Sequence, residues 1–384
     1  MSTLHYLRRL LLFVSALGSV AILIQILLSL QPQHTYKKSN LQAQQPETHN
    51  NDKEVFRPID AAFVDSNFDH LKAIIRTQKR LTRYWSQVDQ MMKHRRPVMH
   101  SNSLRLHSPS GRNYSNADLL KLGNDGLAVP NVAHFVLPFG NSELKFHHRV
   151  CLLSCVWLMR PRLLFLWYEK PPTGQHWEAV QRNLSESGLW ESTVVFARRD
   201  VPSVIYGLPV HKMEHKSDLM RLEAVLQFGG AYFDLDVITL RPLTSLRRFN
   251  FTIGRQSVDG LCNGVFLAAP NSSFLVLWHL AYQVFDQFKW SALSVNLPHH
   301  MCASEAFRHL CHVEEDSMDQ PTWNRMDLIY KRPRKWPWQR RNYVMHLWYR
   351  FHPVQYNMSS IRSVDSMLGD MFRFVLFGND SVIR

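Results

Sequence analysis

Two aspartates one residue apart, Asp234 and Asp236, close a short apolar run that follows Gly229 and Gly230. On an extended strand, residues i and i+2 face the same way. The pair therefore presents two carboxylates on one side, with Leu235 turned toward the core. Hard divalent cations such as Mn2+ or Mg2+ take oxygen ligands, commonly one or two carboxylates together with substrate phosphates. The two glycines leave no side chain to block approach just before the acids. About one such pair is expected by chance in a chain of this aspartate content, and a strand-end pair can equally cap a turn. The surroundings must therefore decide between the two readings.

Upstream, Asp218 and Arg221 stand at i and i+3 on a helical pattern and share one face. An exposed pair of that kind stabilises little. Here Leu219, Met220, Leu222, Val225 and Leu226 make the helix apolar around much of its circumference, which predicts burial. A buried charged pair must be satisfied by its own partner or by a polar ligand.

The elements that hold these groups read as alternating strand and helix. Apolar runs at 132–137, 162–168 and 193–197 predict strands buried on both faces, with helices at 146–159 and 177–187 between them. A long helix ending at Phe228 leads into a strand over 231–240. Later strands are expected at 263–269 and 343–350, and helices at 273–288 and 366–377. The alternation predicts an α/β fold: a mostly parallel, Rossmann-like sheet with helices on both faces. Ligands in such sheets sit beyond the carboxyl ends of the strands. The folded body is expected to span 129–384.

Residues 10–30 form an almost unbroken apolar run, long enough for the ~20 residues that cross a bilayer. No small-x-small cleavage site follows it, which predicts an uncleaved transmembrane signal anchor. Arg8 and Arg9 precede the run, so the tail 1–9 is expected in the cytosol and the rest in the lumen. Six N-x-Ser/Thr sequons, at Asn113, Asn183, Asn250, Asn271, Asn357 and Asn379, suit a luminal, glycosylated body. Residues 31–128 read as a polar luminal stem. Within it, Leu71, Ile74, Gln78, Leu81, Trp85, Val88 and Met92 make a heptad-like seam over 68–92. That seam can pair with a second copy, giving a homodimer through the stem, or pack on the body.

The stretch SDLMRLEAVLQFGGAYFDLD resembles the signature of the DXD-motif sugar-binding glycosyltransferases. This family includes the lactosylceramide α-1,4-galactosyltransferase and the yeast initiating α-1,6-mannosyltransferase. The resemblance is close over this stretch and weaker across 129–348. It implies a GT-A-type fold and a nucleotide-sugar donor, a UDP-hexose or UDP-N-acetylhexosamine. It also implies transfer to a glycan acceptor on lipid or protein, with retention of configuration, and a Golgi type II membrane location. By the same resemblance Asp236 ligates the metal, Mn2+ or Mg2+, with Asp234 supporting it and contacting the donor. Asp218 and Arg221 then bind sugar hydroxyls. Asn263 and Gly264, in CNGVFLAAP, resemble the segment that lines the sugar pocket. His346 and Trp348, in VMHLW, resemble the late segment that closes over the diphosphate.

No second carboxylate pair stands out as acid and nucleophile in the glycosidase manner. The catalytic group is unassigned, with Glu305 an open candidate. Two other classes compete. One is a catalytically silent carbohydrate-binding or partner-stabilising protein of the same fold. The other is a metal-dependent phosphate-ester hydrolase, which needs more converging ligands than the sequence offers.

Of the five cysteines, Cys151 and Cys155 share a helix face. In an oxidising lumen Cys302 is expected to pair with Cys311 or Cys262. That competes with a zinc site drawn from His299, His300, Cys302, His309, Cys311 and His312, whose spacing fits no zinc pattern. The net charge of +14 is not read as nucleic-acid binding, because a luminal body meets none. Much of it lies in the basic stretch 331–341, a solvated loop or a contact for an anionic partner.

Overall fold

The computed structural model describes residues 58–100, 103–140, 142–331, 336–352 and 354–381. The apolar run 10–30, the tail before it and the stem to residue 57 lie outside the described residues, as does 332–335 of the basic stretch.

In chain order the strands are β1 (Arg105–His107), β2 (Val132–Val136), β3 (Leu163–Tyr168) and β4 (Val194–Arg198), then the small hairpin β5 (Val204–Ile205) and β6 (Leu208–Pro209). There follow β7 (Gly230–Phe233), β8 (Val237–Thr239), β9 (Phe251–Ser257), β10 (Gly260–Ala268), β11 (His312–Glu314) and β12 (Val344–His346). Eight of them form one mixed sheet in the order β1-β4-β3-β2-β7-β10-β9-β11. Strands β4, β3, β2 and β7 run parallel, as does β11 with β9, while β1, β10 and β9 add antiparallel ladders. The α/β expectation holds, and within this sheet the parallel ladders outnumber the antiparallel ones.

The principal helices are α1 (Ala61–Thr77), α2 (Phe146–Ser154), α3 (Gln175–Glu186), α4 (Met213–Phe228), α5 (Ser273–Leu280) and α6 (Met367–Phe377). Strand alternation sends Val132 and Val136 to a core shared with α4, α5 and α1. It sends Ala133, Phe135 and Leu137 to a second core with α2 and α3. Both faces of the sheet are thus covered.

The junction of α4 and β7 has a close-packing reason for its two glycines. Gly229 and Gly230 have φ of 63° and 106°. A Cβ on Gly230 would meet the Val132 carbonyl oxygen at 2.5 Å, and one on Gly229 would meet Pro270 Cδ at 2.5 Å. Both glycines are buried. They let the chain press against β2, and do not open a path for ligand. Buried His134 fixes the same junction. Its Nε2 donates to the Gly229 carbonyl at 2.7 Å, and its Nδ1 accepts from Trp167 Nε1 at 3.1 Å. Burial pushes its pKa down to about 4, which suits this neutral tautomer.

The body begins well before Val129. Helix α1 stops at Thr77, so no continuous helix covers 68–92. Leu71, Leu81, Val88 and Met92 from the seam are buried in the same core as α4 and α5, along with Val64, Phe68 and Ile75. Here the seam packs on its own body. Strand β1 pairs with β4, which brings the 103–107 region into the sheet as well. The periodicity was real, but it records one apolar face and does not say what covers it.

The segment between them supplies His100, whose Nδ1 lies 2.6 Å from Glu223 Oε1 on α4. Glu223 is buried and also accepts from Arg199 Nη2 at 2.8 Å. This ties the N-terminal region to the helix that carries Asp218 and Arg221.

Two outcomes follow from this packing. Leu71→Ala should destabilise the body by about 2–5 kcal/mol in chemical denaturation; a free stem seam would leave that transition unmoved. The second concerns pH. Its hydrogen bond to Glu223 raises the His100 pKa above the ordinary 6.5, against the effect of burial. The stability it contributes is full below pH 6.5 and is lost as pH rises through the folded-state value. The gap in Tm between wild type and His100→Gln should therefore be widest in acid and should close in alkali.

Candidate active site

The strand expected over 231–240 breaks at the motif. β7 ends at Phe233, and β8 begins at Val237 in a separate ladder with β12. Asp234, Leu235 and Asp236 form the turn between them, closed by Val237 N–H donating to the Asp234 carbonyl at 3.0 Å. Both side chains are partly exposed, 25% for Asp234 and 21% for Asp236. Leu235 packs at the edge of the core, as expected.

Each carboxylate has its own support. Asp234 accepts from Tyr232 Oη at 2.6 Å and from Arg221 Nη1 at 3.2 Å, and Arg221 Nη2 lies 3.1 Å away. Asp236 accepts from the Tyr349 amide at 3.0 Å and lies 3.2 Å from His346 Nε2. Burial alone would raise the Asp236 pKa. The charge and hydrogen bond of His346, with the Tyr349 amide, outweigh it and hold the carboxyl well below the usual range. His346 shifts the opposite way: burial disfavours its charged form, but Asp236 and Asp319 raise it well above an ordinary histidine.

Asp218 and Arg221 are both buried, as the helix pattern predicts. Their closest partners lie outside the pair. They stand 3.6 Å apart, while Arg221 reaches Asp234 more closely and also donates to the Asn263 carbonyl at 2.9 Å and Ser217 Oγ at 3.0 Å. Asp218 instead accepts from Asn263 Nδ2 at 2.7 Å, and burial raises its pKa. The planar guanidinium has several donors in fixed directions, so one Arg can join α4, the motif turn and β10.

Gly264 lies against this cluster. A Cβ there would meet Asp234 Oδ2 at 2.9 Å and His346 Cε1 at 3.0 Å. Trp348 stacks on the His346 ring with centroids 3.9 Å apart, in a backbone with φ of 53°. The strand expected over 343–350 is confined to β12, and Tyr349–Phe351 turn back over the motif. The structure thus brings Asp218, Arg221, Asp234, Asp236, Asn263, Gly264, His346 and Trp348 to one place.

That place is a two-lobed cleft beyond the ends of the parallel strands. A lobe of about 460 Å³ is lined by Val136–Phe139, Lys145, His147, His148 and Ser217. A lobe of about 480 Å³ is lined by Asp218, Asn263, Trp290, Trp323, His346, Trp348 and Phe351. Glu214, Arg221, Asp234, Asp236 and Arg350 line both. Ligand atoms of Asp234, Asp236 and His346 lie within 4.8 Å of one another. Two carboxylates and one imidazole are a donor set that suits Mn2+.

Other expectations are settled elsewhere in the chain. Cys302 and Cys311 form a disulfide, so they do not ligate zinc, and Cys262 remains a free buried thiol. His299 and His300 lie against Arg255 and Arg80, and His312 against Glu314. Glu305 is exposed and lines neither lobe. In the basic stretch, Trp336 and Trp338 are buried, and Arg341 stacks over Trp336 at 4.7 Å and pairs with Asp316. Tyr232 was legible from sequence, being two residues before Asp234 on a strand. Lys145, Trp290, Asp319 and Arg350 carried no local signal.

Residues 196–254 match the family model described as glycosyltransferase sugar-binding region containing DXD motif. Asp218, Arg221, Asp234 and Asp236 fall within the matched segment. The chain is 30% identical over 190 residues to glucan organizing enzyme 1 of Cryptococcus neoformans, covering 45% of this chain and 49% of that protein. It is 34% identical over 134 residues to the human lactosylceramide 4-alpha-galactosyltransferase, covering 34% of this chain and 30% of the relative. The chain thus spans half or less of the length of these curated relatives. Among solved structures, the glycosyltransferase GlyE of Streptococcus pneumoniae aligns with TM-score 0.37 at 14% identity, covering 64% of this chain and 61% of that one. The galactosyltransferase LgtC, in complex with donor and acceptor sugar analogues, aligns with TM-score 0.34 at 14% identity, covering 66% and 98%.

The contact at Gly264 yields a direct test. Gly264→Ala should push Asp234 and His346 apart; a rise in Tm with Mn2+ is expected for the wild type and not for this variant. The metal-free Tm should fall by only a few degrees, on the order of 1 kcal/mol. An undiminished Mn2+ shift would show that the two groups do not share a ligand.

Proposed function

We propose that the protein is a metal-dependent glycosyltransferase that moves a hexosyl group from a nucleotide-sugar donor, a UDP-sugar, to a glycan acceptor on lipid or protein. The observation that carries this reading is the convergence of Asp234, Asp236 and His346 beside the buried Asp218–Arg221–Asn263 cluster. One part of the site can take a cation and diphosphate, and the adjoining part can take sugar hydroxyls.

Asp236, Asp234 and His346 would hold the cation, Mn2+ or Mg2+. When bound it supplies charge to offset the negative charge that the leaving diphosphate gains as the sugar–phosphate bond breaks. The chain adds its own cations. Lys145 and Arg350 line the lobe at the end of β2, where the nucleotide half of the donor is placed in this reading. His147 and His148 are depressed by burial, to about 2 and about 4, so they act there as neutral hydrogen-bonding groups. Asp218, Arg221 and Asn263 orient the donor sugar, and Arg221 holds Asp234 aimed at the cleft. The acceptor enters the second lobe, where Trp290 and Trp323 offer apolar ring faces and Glu214 polar contacts. Retention of configuration is proposed on the family resemblance, with the catalytic group unassigned.

Residues 10–30 are proposed to anchor the chain as a Golgi type II membrane protein, with the glycosylated body luminal. The anchor length, the flanking Arg8 and Arg9, and the sequons support this. Asn113, Asn250, Asn357 and Asn379 are exposed on the body, as modification requires.

Turnover of a panel of UDP-sugars by the full chain, with and without Mn2+, tests the proposal. Activity should need the metal, and Asp236→Asn should lower turnover by about 100-fold or more. Undiminished turnover in Asp236→Asn would overturn the metal assignment. Absence of hydrolysis and transfer with every donor would favour a carbohydrate-binding protein without activity.

A further inference from the structure

Asp319 lies outside the family segment and outside every motif of the sequence. It is buried, and neither carboxylate oxygen has a hydrogen-bond donor in line among the described residues. A carboxylate stripped of water is costly to keep unless a cation or a strong donor stands beside it. The group beside it is His346, whose Nδ1 is 3.4 Å from Asp319 Oδ1. The other neighbour of Nδ1 is the Cys262 thiol, at 3.5 Å. Burial pushes that thiol up to about 12, so it stays protonated and is a weak partner. The opposite edge of the ring, Nε2, faces Asp236 at 3.2 Å.

Several features hold Asp319 there. The Tyr343 amide donates to the Ser317 carbonyl at 2.8 Å, and Asn342 Nδ2 donates to the Gln320 carbonyl at 2.7 Å. Gly254 on β9 leaves room for the segment: a Cβ would meet Met318 Cβ at 2.8 Å and Asp319 Cβ at 3.4 Å. The ring is fixed in turn by stacking on Trp348. Two supported groups therefore meet at one edge of one imidazole.

We propose that Asp319 is a positioning residue that accepts the Nδ1–H of His346 and so reserves the Nε2 lone pair for the cation site shared with Asp234 and Asp236. An imidazole can offer one nitrogen to a metal only while its proton sits on the other, and a carboxylate partner fixes that choice and strengthens the ligand. The assignment rests on the metal reading above for its purpose, though not for the Asp319–His346 bond itself. Asn at position 319 can turn its amide to donate to Nδ1, which would favour the opposite tautomer.

The test uses the full chain with 15N-labelled histidine, the His346 signals being identified by their loss in His346→Gln. A downfield Nδ1–H resonance is expected in wild type and in Cys262→Ala, and its loss or upfield movement in Asp319→Asn. Titration with Mn2+, followed by electron paramagnetic resonance of the free ion, should show affinity weakened by about 10-fold or more in Asp319→Asn. Cys262→Ala should bind as wild type does. No downfield resonance in wild type would overturn the proposal even if Asp319→Asn failed to fold. So would a folded Asp319→Asn with unmoved resonance, or one with unchanged Mn2+ affinity while wild type binds the ion. A wild type that binds no Mn2+ yet loses the resonance in Asp319→Asn would sink the metal reading alone and leave the bond established.

Discussion

The site depends on one buried guanidinium. Arg221 projects from α4, and its donors reach Asp234 in the motif turn, the Asn263 carbonyl on β10 and Ser217 one turn back on its own helix. Its face also lies over the Tyr232 ring, 4.6 Å from the centroid. Removing it would leave Asp218 and Asp234 facing each other without a cation, at a cost of several kcal/mol by the usual penalty for breaking a buried pair. Such an arrangement is weak evidence for stability, since an apolar core could do as well. What it fixes is direction: Asp234 is held at the cleft.

The scaffold makes that position possible. Parallel strands β2 and β7 end together, and the glycine junction lets β7 approach β2 closely. The chain leaves the sheet at Asp234 because β8 takes a different partner, β12. That exchange sets His346, at the end of β12, opposite Asp236. The two-stranded ladder is therefore what joins the late segment to the motif. The aromatic second lobe and the more polar first lobe meet at the same acids.

Polar groups support the site from behind, at differing depths. Glu223, on the same helix as Arg221, is fully engaged with Arg199 and His100. Among the described residues, Asp319 has the His346 ring as its close partner able to carry a positive charge. The first arrangement fastens the helix to the N-terminal region. The second bears on the His346 ring at the motif. Both are buried carboxylates, and their surroundings separate structural from functional roles.

The sequence alone determined the α/β class, the central strands, the burial of α4 and the eight residues that converge on the cleft. These are local or periodic properties: apolar runs, helix spacing, a two-residue step, and a motif resemblance. It left two things open and misjudged one, each for want of a partner. The seam in 68–92 was apolar on one face, but only packing decided that the face covers α4 and α5. The glycines were read as leaving a way in, when their neighbours are β2 and Pro270. Asp218 and Arg221 were left to each other or to a polar ligand, while the closer contacts cross to Asp234 and Asn263. Only the tertiary structure brought in Asp319, Lys145, Trp290 and Arg350, which lie far along the chain and carry no local pattern. A carboxylate's role depends on which donor faces it and how much water is excluded, and neither is fixed until the chain has folded.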